Sequence, residues 1–353
     1  PAPVFGGVTE TSIRIIDAVF GALAKAAPDR VAAGCYGTCI NVAGGGWDDD
    51  RDQQFGVYFF QEGGWGATAW RDGWTSVPNP TSNFNDYPAE VVESTLPLRC
   101  VEFTLNEDSG GPGRYRGGLG TRRTYEILAD ECDVNALGDR FLVPPHGLEG
   151  GMPGMKARLL YGKAGSGEQV PFNEAFELAS PSKMASVHME RGDTFSMRTG
   201  GGGGYGNPFD REPQAVLDDV REGLVSTGQA VDAYGVIVRA EADGPVLDEE
   251  ATLERRRTKP VIESQGDFGV TVPAGVSGGQ PVEEMRRVER LSSRVLAKVG
   301  PDPCETRCPL AGDPVRCPYH HPFALQFWDA QSLEGWSSRH CLIASERAEE
   351  RSR

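Results

Sequence analysis

Apolar positions in this chain follow two rhythms. Between residues 10 and 26, Ile13, Ile16, Phe20 and Leu23 recur every three or four residues, which places them on one helical face. Thr9 or Thr11 can cap that helix, and Pro28 ends it. The same spacing returns in Val216, Leu217, Val220 and Leu224 after Pro213, a residue suited to a first helical turn. It returns again in Val288, Leu291, Val295 and Val299, predicting a helix over 282–299 that Gly300 closes. Residues 247–257 read as a charged helix. Elsewhere short apolar or alternating runs lie between turn residues and predict strands at 56–60, 91–103, 122–128, 133–137 and 157–161. Three more short strands are expected within 168–196, with a tight turn at Arg191, Gly192 and Asp193, and another at 236–238 after a helical turn ending at Gly235. Asp48, Asp49, Asp50, Arg51 and Asp52 make a polar hairpin tip. The fold class that follows is α+β: a β-rich body with a few packed helices, then a C-terminal helix and a small Cys/His-rich module.

Glycine interrupts these rhythms repeatedly. Residues 106–123 and 147–154 are Gly-rich turns, 34–70 mix glycine with aromatics, and 200–204 are five consecutive glycines. A backbone without Cβ allows another chain or a ligand to approach closely, but ordering it costs more entropy than any other sequence. The run lacks the Lys-Ser/Thr that closes a nucleotide phosphate loop.

Composition narrows the partners. With 353 residues, 24% charged and 39% hydrophobic, the chain has the make-up of a folded protein of one large or two ordinary domains. A net charge of −16 argues against nucleic acid or an anionic membrane as partner. No apolar run reaches the roughly 20 residues of a membrane span. The first residue, Pro1, follows no signal peptide, so we expect a processed or partial start with sequence missing upstream, and a cytoplasmic location.

Five segments in order carry a family resemblance: VTETSIRIIDAVFGALAKAAPDRV, PTSNFNDYPAEVVESTLPLR, DSGGPGRYRGGLGTRR, GDRFLVPPHGLEGGMPG, and GGGGYGNPFDREPQAVLDDVREGLVS with AYGVIV beyond it. Together, over about residues 1–240, they resemble the C-terminal part of the hydantoinase B/oxoprolinase family, the B-type subunits of ATP-dependent hydantoinases, 5-oxoprolinases and acetone or acetophenone carboxylases. The resemblance implies a division of labour. An A-type, actin-like ATPase subunit uses ATP to activate a lactam oxygen, or a ketone and bicarbonate, and the B-type partner completes the reaction. It also implies that a catalytic divalent metal belongs to the family's N-terminal half, outside this chain and on what would be a separate N-terminal polypeptide. The leading expectation is a subunit of a cyclic-amide hydrolase acting on a small molecule. A ketone carboxylase subunit and a non-catalytic scaffold are the alternatives.

Each candidate site has a structural and a functional reading. The loop 77–87 departs from the family by carrying Asn83, Asn85 and Asp86 and no histidine; these suit turn chemistry, or could orient a lactam and activate water. Arg114 and Arg116, with Arg122 and Arg123, read as a hairpin paired to the acidic surface or as an anion clamp. Gly201, Gly202 and Gly203 could cradle a phosphorylated species with backbone amides, or mark a chain crossing. His146 and His188 read as structural histidines rather than bases. In the tail, Cys304, Cys308, Cys317, His320 and Cys341 have the residue types of a structural zinc site in a segment too proline-rich for a helical core, with His321 and His340 as alternative ligands and an iron–sulfur or redox role or unligated thiols as the alternatives. The expected domains are 1–240, a charged helix and linker over 241–281, and the helix with its metal-binding module over 282–353.

Overall fold

In the computed structural model of the chain, residues 10–82 and 86–257 are described, and every structural statement below refers to them. The linker over 258–281, the helix over 282–299 and the zinc ligands Cys304, Cys308, Cys317, His320 and Cys341 lie outside the described residues. Helix α1 (Ser12–Ala24) matches its spacing and buries Ile13. Strands β1 (Asn41–Asp48) and β2 (Gln53–Phe59) form a hairpin whose tip is the acidic 49–52 turn, where Asp48 accepts from Arg51. Strand β5 (Glu131–Leu137) pairs with β1, and β8 (Lys183–Glu190) pairs with β5, completing one antiparallel sheet in the order β2-β1-β5-β8. The second sheet runs β3-β4-β9-β6-β7, from β3 (Leu98–Leu105), β4 (Thr121–Ile127), β6 (Arg158–Gly162), β7 (Val170–Pro171) and β9 (Thr194–Arg198).

One apolar core joins the two sheets. Phe59 stacks on Tyr125 at 4.6 Å with the rings 7° apart, and Tyr125 meets Phe195 at 5.5 Å. Each such side chain contributes roughly 1.5–3 kcal/mol by leaving water. A second, smaller cluster joins α4 (Pro213–Arg221), α5 (Thr227–Asp232) and a hairpin of β10 (Val238–Glu241) and β11 (Gly244–Leu247) around Val216, Val225, Ala230 and Tyr234. The charged helix α6 (Glu249–Arg256) follows, capped by the Asp248 carboxylate.

The structure corrects three expectations. Residues 91–103 are not one strand: Ala89–Thr95 is a helix, α2, and β3 begins at Leu98. The β-branched pair Val91-Val92 suggested a strand, but Pro88 starts a helix and only Val92 turns inward. A one-turn helix, α3 (Phe172–Ala175), stands among the short strands of 168–196. The strand expected at 236–238 starts only at Val238, because Val236 is drawn into the cluster around Tyr234. Strand β1 was hidden by Gly44, Gly45 and Gly46, which lie within it.

The glycine-rich segments converge on one end of this sandwich. The antiparallel pairings bring together the start of β1, the ends of β2, β3, β5 and β9, and the starts of β4 and β6. The segments entering or leaving there are those around residues 33–36, 63–74, 109–120, 145–155 and 199–206. Residues 200–204 run through their midst. Successive amides of Gly202, Gly203 and Gly204 donate to the carbonyls of Gly118, Gly34 and Met152, three different neighbours, and Tyr205 returns to the first neighbour at Tyr115. The carbonyls of Gly200 and Gly203 accept from Gly64 and Ala67, again three residues apart on one segment. That threefold rotation is the period of an extended polyproline II chain. Such a chain has no internal hydrogen bonds, so its neighbours supply them.

A Cβ on any glycine of the run would lie 1.8–2.3 Å from the carbonyl oxygen of Met155, Ser109, Trp65, His146 or Pro112. The run is glycine because five carbonyls on three neighbouring segments press on it.

Candidate functional site

Where the sandwich meets the glycine bundle, a group of ionisable side chains is buried. Arg123 alternates along β4 with Thr121 and Tyr125 and so points inward; it is 1% exposed. Its Nη2 lies 2.5 Å from Asp86 Oδ2, and its guanidinium covers the Phe103 ring at 3.9 Å. Glu62 enters from the segment after β2. Thr121 and Thr199 hold its backbone carbonyl through their hydroxyls at 3.1 and 2.6 Å. The Glu62 carboxyl is buried and held against Asp86, which together push its pKa up to about 8. Glu62 Oε2 and Asp86 Oδ1 are both buried with no donor among the described residues. One proton shared between the two carboxyls satisfies both, and the Arg123 cation balances the charge that remains. The pair can therefore hold or release a proton near neutral pH.

A second buried carboxyl lies beyond Cys39. Glu10 Oε1 accepts from the Cys39 amide at 3.3 Å and from Asn41 Nδ2 at 3.2 Å, and Tyr58 donates to Asn41 Oδ1 at 2.9 Å. Burial pushes Glu10 up to about 7. Between the carboxyls, Asn79 donates to Cys39 Sγ at 2.7 Å. Burial raises the Cys39 thiol to about 12, so it stays protonated and does not act as a nucleophile.

Of the residues singled out from the sequence, Asp86 and Arg123 are brought together here; Asn83 and Asn85 lie outside the described residues. Gly201, Gly202 and Gly203 sit inside the bundle. In place of a ligand, the amides of Gly202 and Gly203 bind backbone carbonyls. Arg116 is buried, its Nη1 donating to the Gly117 carbonyl at 2.8 Å and its Nη2 lying 3.2 Å from Asp219. It belongs to an ion-pair network instead of a clamp. Arg211 binds Asp72 through both terminal nitrogens at 2.7 Å and Asp219 at 2.8 Å. Replacing Arg211 by methionine takes a cation from the buried Asp219, which keeps Arg116, and from the half-buried Asp72, which keeps the Arg116 amide; chemical denaturation is expected to show a loss of about 1–3 kcal/mol. Arg114 is exposed, with its guanidinium 5.6 Å from the Tyr115 ring centroid. Burial lowers His146 to about 4, which leaves its imidazole neutral. His188 is exposed beside Asp133. No group of three His, Cys, Asp or Glu side chains among the described residues is placed to hold a metal.

Sequence reasoning missed Glu10 and Glu62. For Glu62 a signal was present: it is the lone charge in FFQEGGWGATAW, a stretch otherwise apolar or glycine.

The chain belongs to the hydantoinase B/oxoprolinase family, whose model matches residues 1–208. An uncharacterized protein of Methanocaldococcus jannaschii is 36% identical over 256 residues, 72% of this chain and 42% of that protein. A Pseudomonas protein described as the B-type component of a D-/L-hydantoinase is 32% identical over 73% of this chain and 41% of its own length. Among solved structures, nucleotide-free acetone carboxylase superposes with a TM-score of 0.55 at 27% identity, over 79% of this chain and 38% of its own. The ATP-dependent caprolactamase of Pseudomonas jessenii gives 0.52 at 27% identity, over 67% of this chain and 40% of its own. The chain thus spans about two fifths of the length of each of these four proteins.

Proposed function

We propose that this chain is a B-type subunit, or part of one, of an ATP-dependent cyclic-amide hydrolase in the cytoplasm. An A-type, actin-like ATPase subunit spends the ATP, and the remaining B-type sequence supplies any catalytic divalent metal. The observation that carries the reading is the carboxyl pair Glu62–Asp86 beside Arg123. Water attacking an activated lactam must lose a proton near neutral pH, and the pair, once it has released its shared proton, can take it. Asn83 and Asn85, next to Asp86 in the sequence, would supply amides to the lactam. The likeness to relatives described as components of a hydantoinase and a caprolactamase supports the cyclic amide as substrate class. The superposition on acetone carboxylase supports a second reading, carboxylation of a ketone.

Reconstitution with the A-type subunit and the rest of the B-type sequence tests both. ATP-dependent ring opening of 5-oxoproline, a hydantoin or caprolactam is the expected activity, and Glu62→Gln should lower turnover by about 10²-fold or more with assembly intact. Consumption of acetone and bicarbonate alone would select the carboxylase. An assembled complex whose turnover ignores Glu62→Gln would remove the proton-transfer role.

A further inference from the structure

The outer face of the five-stranded sheet carries an arrangement that the buried site does not use. Arg122 on β4 is registered opposite Arg198 on β9, and Arg198 opposite Arg158 on β6. Their chain neighbours Met197 and Leu159 belong to the inter-sheet core, so all three arginines project from the other face. Adjacent strands stand about 4.8 Å apart, which makes this a row of three like charges in direct cross-strand contact. Such pairs destabilise a sheet unless something compensates them. The compensation within the chain is small. Glu102 pairs with Arg122 at 2.8 Å. Arg198 donates only to the neutral Gln169 amide oxygen, at 2.8 Å, and Arg158 is exposed. The Nε atoms of Arg122 and Arg198 are buried with no acceptor among the described residues. The next registered pair on the same face, Thr124 and Ser196, offers two buried hydroxyls bonded to each other at 2.9 Å. Burial and the neighbouring Arg122 cation also hold Arg198 below the usual guanidinium range.

We infer that this row is a binding site for a phosphate dianion, free or carried on a larger molecule. Three guanidinium cations against one carboxylate leave a charge of two to be matched, and planar N–H forks on neighbouring strands fit the oxygens of a tetrahedral phosphate. The second ionisation of phosphate, with a pKa near 6, supplies that charge at neutral pH. The site lies on the opposite face of β4 from Arg123, so it is separate from the Glu62–Asp86 pair.

The test uses the full chain at pH 7.5, with inorganic phosphate against chloride at matched ionic strength, read by calorimetric titration and thermal melting. Phosphate is expected to bind saturably and raise Tm above chloride. Arg198→Gln and the exposed Arg158→Gln should each weaken phosphate binding at least tenfold. Arg198→Gln should also melt higher than wild type in phosphate-free buffer, since it relieves the like-charge contact. ADP binding tighter than phosphate would assign the phosphate to a nucleotide, and equal or weaker ADP binding to free phosphate. Equal shifts by phosphate and chloride, unchanged phosphate affinity in both variants, or stronger binding of succinate than of phosphate would each overturn the assignment.

Discussion

Gly203→Ala is expected to remove most of the stability of the sandwich. The new methyl would stand 1.8 Å from the His146 carbonyl oxygen and 2.5 Å from its carbon. Both atoms are backbone, so no rotamer change relieves the overlap. The chains on either side must separate, and Gly203 then loses its bond to the Gly34 carbonyl at 2.8 Å and the one from Ala67 at 2.9 Å. Overpacking alone costs about 1–3 kcal/mol, and each stranded buried peptide group about 1–3 more, against a typical total stability of about 5–15. Gly228→Ala is the matched control. Gly228 lies in α5, and a Cβ there would meet only Ser226 Oγ at 3.7 Å. It should stabilise by about 0.5–1 kcal/mol, because alanine gives up less freedom on entering a helix. Circular dichroism melts of the two variants read the contrast. A Gly203→Ala protein melting within a few degrees of wild type would mean that the bundle yields more readily than its geometry indicates.

The second large effect is on stability against pH. Glu62 has a folded-state pKa near 8 against 4.5 for the free side chain, so between those values the native state binds more protons than the unfolded chain. Stability therefore falls as pH rises through this window, by up to about 1.4 kcal/mol for each unit of pKa difference. Below pH 4.5 both states are protonated, and the contribution no longer changes. Glu10, raised to about 7, slopes in the same direction over a narrower window. In Glu62→Gln an amide takes the place of the protonated carboxyl and can donate to Asp86 Oδ1 without titrating. Urea denaturation at several pH values should show the variant matching wild type near pH 5 and exceeding it by a few kcal/mol at pH 8, with the falling Glu10 slope and the rising His146 slope common to both proteins. Parallel curves for the two proteins would mean that Glu62 is ionised in the native state.

Several of these features could be read from the residues before any fold was seen. The apolar spacing of α1 and α4 was enough to place both helices, and in α4 it also marked the buried Val216 and Leu217; in α1 only Ile13 of the spaced positions is buried, and Leu23 is exposed. The hairpin tip at 49–52 was marked by its charges. Strand β1 was not legible, because Gly44, Gly45 and Gly46 have no side chain to show which face they occupy. The buried proton site was half legible. Asp86 and Arg123 drew attention as polar residues in otherwise weakly patterned loops. Their contact with Glu62 joins positions 24 and 61 residues apart through a bundle held mainly by backbone hydrogen bonds. Side-chain chemistry carries no signal of backbone pairing. The same holds for the arginine row: Arg122, Arg158 and Arg198 are ordinary apart in sequence and become a group only through strand register.

The glycine bundle also bears on the heat capacity of the protein. Ordinary cores gain stability by hiding hydrocarbon, and unfolding them raises the heat capacity by about 0.45 cal/K/mol for each Å² of apolar surface exposed. A bundle built from peptide groups hides amide surface instead, and exposing that lowers the heat capacity by about 0.26 cal/K/mol per Å². The stretch through 200–204 and its neighbours thus offsets part of the sandwich's own term. For a chain of its size the protein should have a flatter stability curve, one that weakens less on cooling than its length alone implies.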